Sequence, residues 1–231
     1  MLSDALSFPR GGDDWLSTLL VGGILTVLSF LILPAFVLQG YLVRVLDHAA
    51  RGEHTPPSFT QWGSLLVDGL KMFVVNLVYG LVVLIPLALL LGGLFIVVPG
   101  EPVPMEPGAT PSPPSGGAGG LVVLVLLVVV VAVTGLLLAY LLPAALANFA
   151  IEGNLGAAFA LRTIASGAFT GDYAVAWLLA LVVGIVGGLV GSALSAVVVG
   201  FFVLFYVQVI LYYLVGRGFA AGLSKKRWAE P

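Results

Sequence analysis

Few residues in this sequence have the type and spacing needed for chemistry. Cysteine is absent, which excludes thiolate catalysis and cysteine ligands for a metal. The two histidines, His48 and His54, lie near Asp47 and Glu53. A metal site needs three or four ligands in fixed geometry, so we interpret both histidines as surface residues. With no nucleophile elbow and no phosphate-binding loop in the sequence, we expect no enzyme activity, no metal and no other cofactor.

Amide side chains are the next candidates, because polar groups are costly in apolar stretches. Four lie in or beside such stretches: Gln39, Asn76, Asn148 and Gln208, of which the first three are the candidate site residues. The first interpretation is that they line a polar cavity. The second is that each amide bonds a neighbouring helix and stabilises packing by roughly 0.6 kcal/mol, which is the more common role. Three prolines in the same stretches predict helix kinks, which would free backbone carbonyls to face a cavity: Pro34, Pro86 and Pro143.

The elements that carry these residues are predicted by the distribution of charge. Charged residues make up only 9% of the 231 residues and hydrophobic residues 60%, whereas a soluble domain carries about 25% charged residues. No charge lies between Asp14 and Arg44, Lys71 and Glu101, Glu106 and Glu152, or Asp172 and Arg217. A membrane-spanning helix needs about 20 apolar residues. The first three gaps predict one span each, and the fourth predicts two spans with a reversal near residues 191–195.

The fold prediction is therefore an all-α, polytopic helical membrane protein with about five transmembrane helices. Lys and Arg favour the cytoplasmic side. Arg217, Lys225, Lys226 and Arg227 predict a cytoplasmic C-terminus in the cell membrane, and five spans then leave the N-terminus outside. As an alternative, residues 1–14 form an interfacial cytoplasmic helix, which requires six or four spans. The net charge of -2 gives no reason to expect a nucleic-acid partner.

An internal duplication is suggested by two matching stretches. Leu-Pro-Ala at 33–35 is followed by Gln39, and Leu-Pro-Ala at 142–144 is followed by Asn148. The predicted layout is a single membrane domain with one half at 1–98, a flexible external Pro/Gly/Ser linker at 99–120, a second half at 121–220 and a basic cytoplasmic tail at 221–231. Both segments between spans fall on the same side, which predicts a parallel repeat.

Two further patterns concern surfaces and packing. Ser58 and Gln61 have capping-box spacing, and the stripe of Phe59, Trp62 and Phe73 predicts an amphipathic interfacial helix. Asn154 is the predicted cap of a second, smaller segment of this kind. Small residues four apart let helices approach closely in lipid. The glycines that predict such a contact for the fourth span are Gly184, Gly187, Gly188 and Gly191.

A family resemblance rests on several short motifs. They are Gly-Asp-Asp-Trp (12–15), Leu-Pro-Ala-Phe (33–36), Gly-Tyr-Leu-Val-Arg (40–44), Pro-Pro-Ser-Phe (56–59), Trp62 and Val-Asp-Gly-Leu-Lys (67–71). The pattern resembles an archaeal, haloarchaeal-type family of polytopic membrane proteins known only as a domain of unknown function. That family is distantly similar to the membrane domain associated with glycerophosphodiester phosphodiesterases. The resemblance implies a membrane location and no chemistry, since these residues include no phosphodiesterase domain.

Two functional classes follow from these observations. The duplication, prolines and amides favour a small permease-like or transport-associated protein, whose substrate the sequence does not identify. The close-packing glycines and the scarcity of intramembrane charge favour a non-catalytic scaffold or partner subunit of a membrane complex. The expected partners are the lipid bilayer and either a second copy of the chain or another membrane protein.

Overall fold

The computed structural model describes residues 1–97 and 117–229. These ranges are helical, with connecting turns and no strand. The α-helices are α1 Leu2–Ser7, α2 Trp15–Val27, α3 Ile32–Arg51, α4 Trp62–Val97, α5 Gly117–Glu152, α6 Leu161–Ala168, α7 Gly171–Leu194 and α8 Val199–Ala229. The all-α prediction is confirmed. α5 begins inside the predicted linker, whose residues 99–116 lie outside the described ranges, and α8 continues through most of the predicted tail.

Four helical segments are long and apolar enough to cross a membrane: Trp62–Gly92, Val122–Glu152, Gly171–Val197 and Val199–Lys225. A bent pair, Leu2–Arg10 and Trp15–Phe30, makes a fifth candidate if its two parts are counted as one span, although they meet at 90°. The chain is therefore a multi-pass helical membrane protein with four or five candidate spans, as the gaps between charges predict.

The described residues divide into two compact units. The first unit contains Met1–Asn76 and Tyr140–Pro231, and the second contains Leu77–Ala139. In the second unit, large apolar side chains such as Ile85, Val125 and Leu136 are exposed. Such a surface is stable only in an apolar solvent such as lipid. Pro86 lies inside α4 in this unit, and Pro143 lies inside α5 in the first unit.

The first unit is organised around α8. α2, α3, α6 and α7 all pack on it, and so does the short α1. Its largest buried side chains are Phe205, Ile210, Tyr213, Leu214 and Phe219, which point in several directions around the helix. A helix that buries apolar residues all round is a central element of its domain.

The reversal between α7 and α8 comes slightly later than predicted. A 3₁₀ turn at Ser195–Val197 leads to Val198, which has a left-handed φ of 64°. A β-branched residue rarely adopts that conformation, so the local sequence gives no turn signal. Gly191, inside the predicted turn, lies in α7 instead and packs against Leu204 of α8.

The first predicted span is not one helix, and this is the main correction to the predicted topology. The chain breaks at Leu31, which is extended with φ -89° and ψ 141°. Gly22 of α2 and Tyr41 of α3 both contact Phe205, so the chain reverses between them and forms an α2–α3 hairpin. Pro34 is the third residue of α3. The predicted kink at Pro34 is wrong, because a proline in the first helical turn removes no helical hydrogen bond.

The N-terminal segment lies beside the first loop and not at the opposite end. Gly11 packs directly against the His54 carbonyl oxygen. Met1 lines a groove that also contains Asp172 and Lys225, near the end of α8. In the structure, residues 1–14 therefore lie near the C-terminal end of α8, whereas five spans predict termini on opposite sides of the membrane. The side on which each terminus lies stays a prediction.

The predicted first interfacial helix is also different in the structure. Helix α4 starts at Trp62 and runs past Phe73 to Val97 without a break, while Phe59 lies in the preceding loop. Ser58 does not cap this helix, because Gln61 has a left-handed φ of 57° immediately before it. Phe59 stacks on Tyr41 instead, with ring centroids 4.1 Å apart. In the second segment, Asn154 caps a 3₁₀ turn as predicted, accepting a hydrogen bond from the Ala157 amide at 3.0 Å.

Candidate functional site

The three candidate amides lie on three helices and make no hydrogen bond with one another among the described residues. Asn148, on α5, is 1% exposed. Its Nδ2 donates a hydrogen bond of 2.8 Å to the Ala157 carbonyl oxygen. This bond holds the loop after α5 against the helix. The geometry at Asn148 therefore matches the packing interpretation.

The Oε1 atom of Gln39 is buried without a hydrogen-bond partner in the described part of the chain. Three further buried oxygens share this condition: the hydroxyls of Tyr41 and Tyr213 and Oδ1 of Asn148. Native proteins leave few buried polar atoms unpaired, so each one calls for an explanation. Asn76 is half-exposed on α4 and does not belong to this group.

A polar cluster lies where α3 meets the loop at residues 52–61. The Arg44 guanidinium donates to the Thr60 carbonyl oxygen at 2.7 Å and to Ser64 Oγ at 2.6 Å. His48 Nδ1 lies 2.8 Å from Glu53 Oε2. Asp47 pairs with Arg51 at 2.9 Å, and this hydrogen bond and charge raise the pKa of the Arg51 guanidinium. Throughout residues 1–97 and 117–229, no three His, Asp or Glu side chains converge as metal ligands would.

The glycines of α7 lie mainly against α8. Gly187 packs on Val207, Gly191 on Leu204, and Gly184 within ordinary contact distance of Leu211. A Cβ added at Gly188 would meet no atom within 4 Å, so this position faces open space. The contact formed by the fourth span is therefore intramolecular, and Gly188 lies to one side of it.

Sequence reasoning missed a groove between the N-terminal segment and α8. Its volume is about 510 Å³, and its lining includes Arg10, Trp15, Leu19, Val199, Phe202 and Tyr206. The Arg10 Cζ lies 5.7 Å from the centroid of the Tyr206 ring. The available signal was that Arg10 is the only Lys or Arg before α3. Two other open grooves flank the Asp172–Lys225 and Asp47–Arg51 ion pairs.

The segments between spans, one in each predicted half, both lie beside the C-terminal part of α8. Gly52 contacts the Arg217 guanidinium, and Gly167 contacts the ring of Phe219. A parallel repeat would require this arrangement, but the duplication itself stays a prediction.

Comparison with known protein families assigns most of the chain. Residues 27–196, about three quarters of the chain, match a family model described as a protein of unknown function, DUF4013. The matched range runs from the end of α2 to the turn after α7. No curated protein and no solved structure is significantly similar to the chain. The chain is therefore a member of the DUF4013 family of proteins of unknown function, with the helical composition of an integral membrane protein.

Proposed function

We propose that the protein is a non-catalytic membrane scaffold that holds a second copy of itself or another membrane protein. The observation that carries this proposal is the closeness of packing around α8. Gly22 and Gly23 lie against the rings of Phe205 and Phe202, and Gly218 lies against Ala176. Contacts this close leave little room for a solute along α8 and favour a rigid framework.

The distribution of polar groups supports the same role. The ion pairs Asp47–Arg51 and Asp172–Lys225 and the hydrogen-bonded pair His48–Glu53 are partly exposed. Such exposed pairs contribute about 1 kcal/mol or less to stability. The resemblance to the membrane domain that accompanies glycerophosphodiester phosphodiesterases also fits a partner of other proteins, because that domain accompanies an enzyme and is not the catalytic part.

A permease-like function is the second candidate, and one observation favours it. Four buried oxygens on three helices lack partners among the described residues, at Gln39, Tyr41, Asn148 and Tyr213. Polar atoms on several helices are what a small polar solute would need for passage through a membrane protein.

Reconstitution into liposomes separates the two candidates. A scaffold leaves the permeability to glycerol, measured by stopped-flow light scattering, and to small ions, measured with an entrapped dye, equal to that of protein-free vesicles. A permease raises one of these permeabilities, and the Gln39→Leu/Tyr213→Phe variant lowers it again. The scaffold proposal also requires a partner. A photo-crosslinking residue at Leu178 or Val182, both exposed on α7, should capture one product of fixed stoichiometry in native membranes.

The side of the membrane that each terminus faces can be tested with single introduced cysteines, because the chain has no cysteine of its own. We propose that both termini face the cytoplasm, since the C-terminal region is basic and Met1 lies beside Lys225. Single cysteines at Ser3 and Ser224, both exposed, should therefore react with an impermeant maleimide only after the cells are opened. Labelling of one position in intact cells would contradict this topology.

A further inference from the structure

At one end of the groove between the N-terminal segment and α8, the Arg10 side chain provides a positive charge, and its neighbours hold that side chain in place. Phe8, Pro9 and Arg10 form a 3₁₀ turn. Phe8 is 1% exposed and packs on Tyr213 with ring centroids 4.4 Å apart, which fixes the turn. From the other side, the Tyr206 hydroxyl donates a hydrogen bond of 2.6 Å to the Leu6 carbonyl oxygen, so the ring next to Arg10 is also held in place.

The guanidinium of Arg10 has unused hydrogen-bonding capacity. The guanidinium carries five N–H donors, and its contact with the Tyr206 ring, 5.7 Å from Cζ to the centroid, uses none of them as a conventional hydrogen bond. Within the described residues, no carboxylate lies within ion-pair distance of Arg10. Asp13 and Asp14 are close in sequence, but both are exposed and neither pairs with Arg10. Arginine edges bind phosphate oxygens well, often through two parallel hydrogen bonds.

The rest of the groove is apolar. Tyr206 contacts Arg10, and on α8 Phe202 and Val199 line the groove about one and about two helical turns before Tyr206. On α2, which follows the turn that carries Arg10, Trp15 is the first residue, and Leu19 lies about one turn further along the helix. Trp and Tyr favour the boundary between headgroups and acyl chains. A cation, two amphipathic rings and an aliphatic surface follow one another in the order of a phospholipid's phosphate, glycerol backbone and acyl chain.

We propose that this groove binds one phospholipid with an anionic headgroup, its phosphate at Arg10 and one acyl chain along Leu19 and Val199. The bilayer is the source, because a soluble phosphate ion would make no use of the apolar lining. An anionic headgroup is preferred over choline, because Arg10 is the single ionised side chain among the described residues of the groove. The groove lies largely outside residues 27–196, the range matched by the family model.

Trp15 provides a direct reporter of this binding. The chain has four tryptophans, and replacing the other three by Phe leaves Trp15 as the single fluorophore. This variant is reconstituted into vesicles containing increasing amounts of brominated phosphatidylglycerol or brominated phosphatidylcholine. One basic residue near a membrane surface changes lipid affinity by about fivefold, so phosphatidylglycerol should be favoured at Trp15 by about that factor. A matched variant that retains only Trp177, on α7, should show equal quenching by the two lipids.

Substitutions in the groove complete the test. Arg10→Gln should reduce the preference to about one, and Arg10→Lys should retain most of it. Val203→Phe, which fills the groove without changing its charge, should also reduce the preference, and it provides the test if Arg10→Gln does not fold. Equal quenching by the two lipids in the Trp15 reporter, or an unchanged preference in Val203→Phe, would overturn the proposal. Loss of the preference when millimolar inorganic phosphate is added would overturn the assignment to a lipid.

Discussion

Two helix contacts in the first unit are built on glycine, but the glycines face different neighbours. Between α3 and α4, Gly40 lies against the Leu65 carbonyl oxygen and Gly69 against the Phe36 carbonyl oxygen. Between α7 and α8, Gly187 lies against the side chain of Val207 and Gly191 against that of Leu204. The first contact joins backbone to backbone, and the second fits side chains into the space above a glycine. A side chain can rotate away from an added methyl group, whereas a helix backbone cannot, so the two contacts should differ in their tolerance of substitution.

The largest effect is expected at the backbone contact. Gly69→Ala should lower the free energy of unfolding by about 3 kcal/mol, because the new Cβ overlaps the Phe36 carbonyl oxygen and α3 must move as a whole. Unfolding by SDS titration in mixed micelles, followed by tryptophan fluorescence, measures the change. Gly63→Ala is the control, because a Cβ at Gly63, in the first turn of the same helix, meets nothing within 4 Å. Equal stability of the two variants would mean that α3 and α4 do not approach this closely.

A smaller effect is expected at the side-chain contact. Gly187→Ala places a methyl group on Val207, and rotation of that side chain should limit the loss of stability to about 1–2 kcal/mol. Gly188→Ala, one residue further along α7, should leave stability unchanged or slightly higher, because Ala favours helix and the position is open. The same SDS titration measures both variants. If Gly188→Ala were the more damaging, the face assigned to α8 would be wrong.

The two contacts also differ in how visible they are in the sequence. The α7 glycines recur at short helical spacing and predict a close contact, although spacing alone does not identify Gly188 as the residue that faces away. At the other contact, each helix contributes one glycine, and the residue four positions before Gly40 is Phe36. No spacing pattern arises there, because the close approach depends on which glycine meets which backbone, and only the tertiary structure determines that.

Spans were easier to predict than their directions for a similar reason. A charge is costly in lipid, so gaps between charges identify α4, α5, α7 and α8. A reversal inside an apolar stretch carries no such cost, and hydropathy therefore did not distinguish the α2–α3 hairpin from one helix. Pro34 was the available signal, since proline is favoured near the start of a helix. The groove at Arg10 was beyond such reasoning, because it forms only when the N-terminal segment packs on α8, about 200 positions away in the chain.

The matched amides of the two predicted halves allow a subtler comparison. Asn148→Leu should lower the free energy of unfolding by about 1 kcal/mol, because the buried Ala157 carbonyl oxygen loses its hydrogen bond. Gln39→Leu should cost nothing or stabilise the protein, since the Oε1 that it removes is buried without a partner among the described residues. SDS titration again provides the measurement. A destabilised Gln39→Leu variant would show that this amide has a partner and that the two halves are more alike than the contacts indicate.

The smallest effect concerns the loops that follow the two amide-bearing helices. The second loop is held by the Asn148 amide, whereas the first is held by Arg44, which bonds Thr60 and Ser64. Removing the guanidinium with Arg44→Met should free the loop locally and leave the bundle intact. Hydrogen exchange of the amides at 53–60 should then accelerate by about fivefold, which corresponds to one lost hydrogen bond of about 1 kcal/mol.

Arg51→Met provides the matched control for that exchange experiment, because Arg51 is on the same helix but bonds only Asp47, within α3. Its loss should leave exchange in the loop nearly unchanged. An equal acceleration in both variants would mean that the positive charge near the loop matters more than the bonds from Arg44. Attraction between the positive side chains and the negative C-terminal end of the α3 dipole would then explain why the loop is ordered. The contrast between a loop held by a guanidinium and a loop held by a neutral amide would no longer apply.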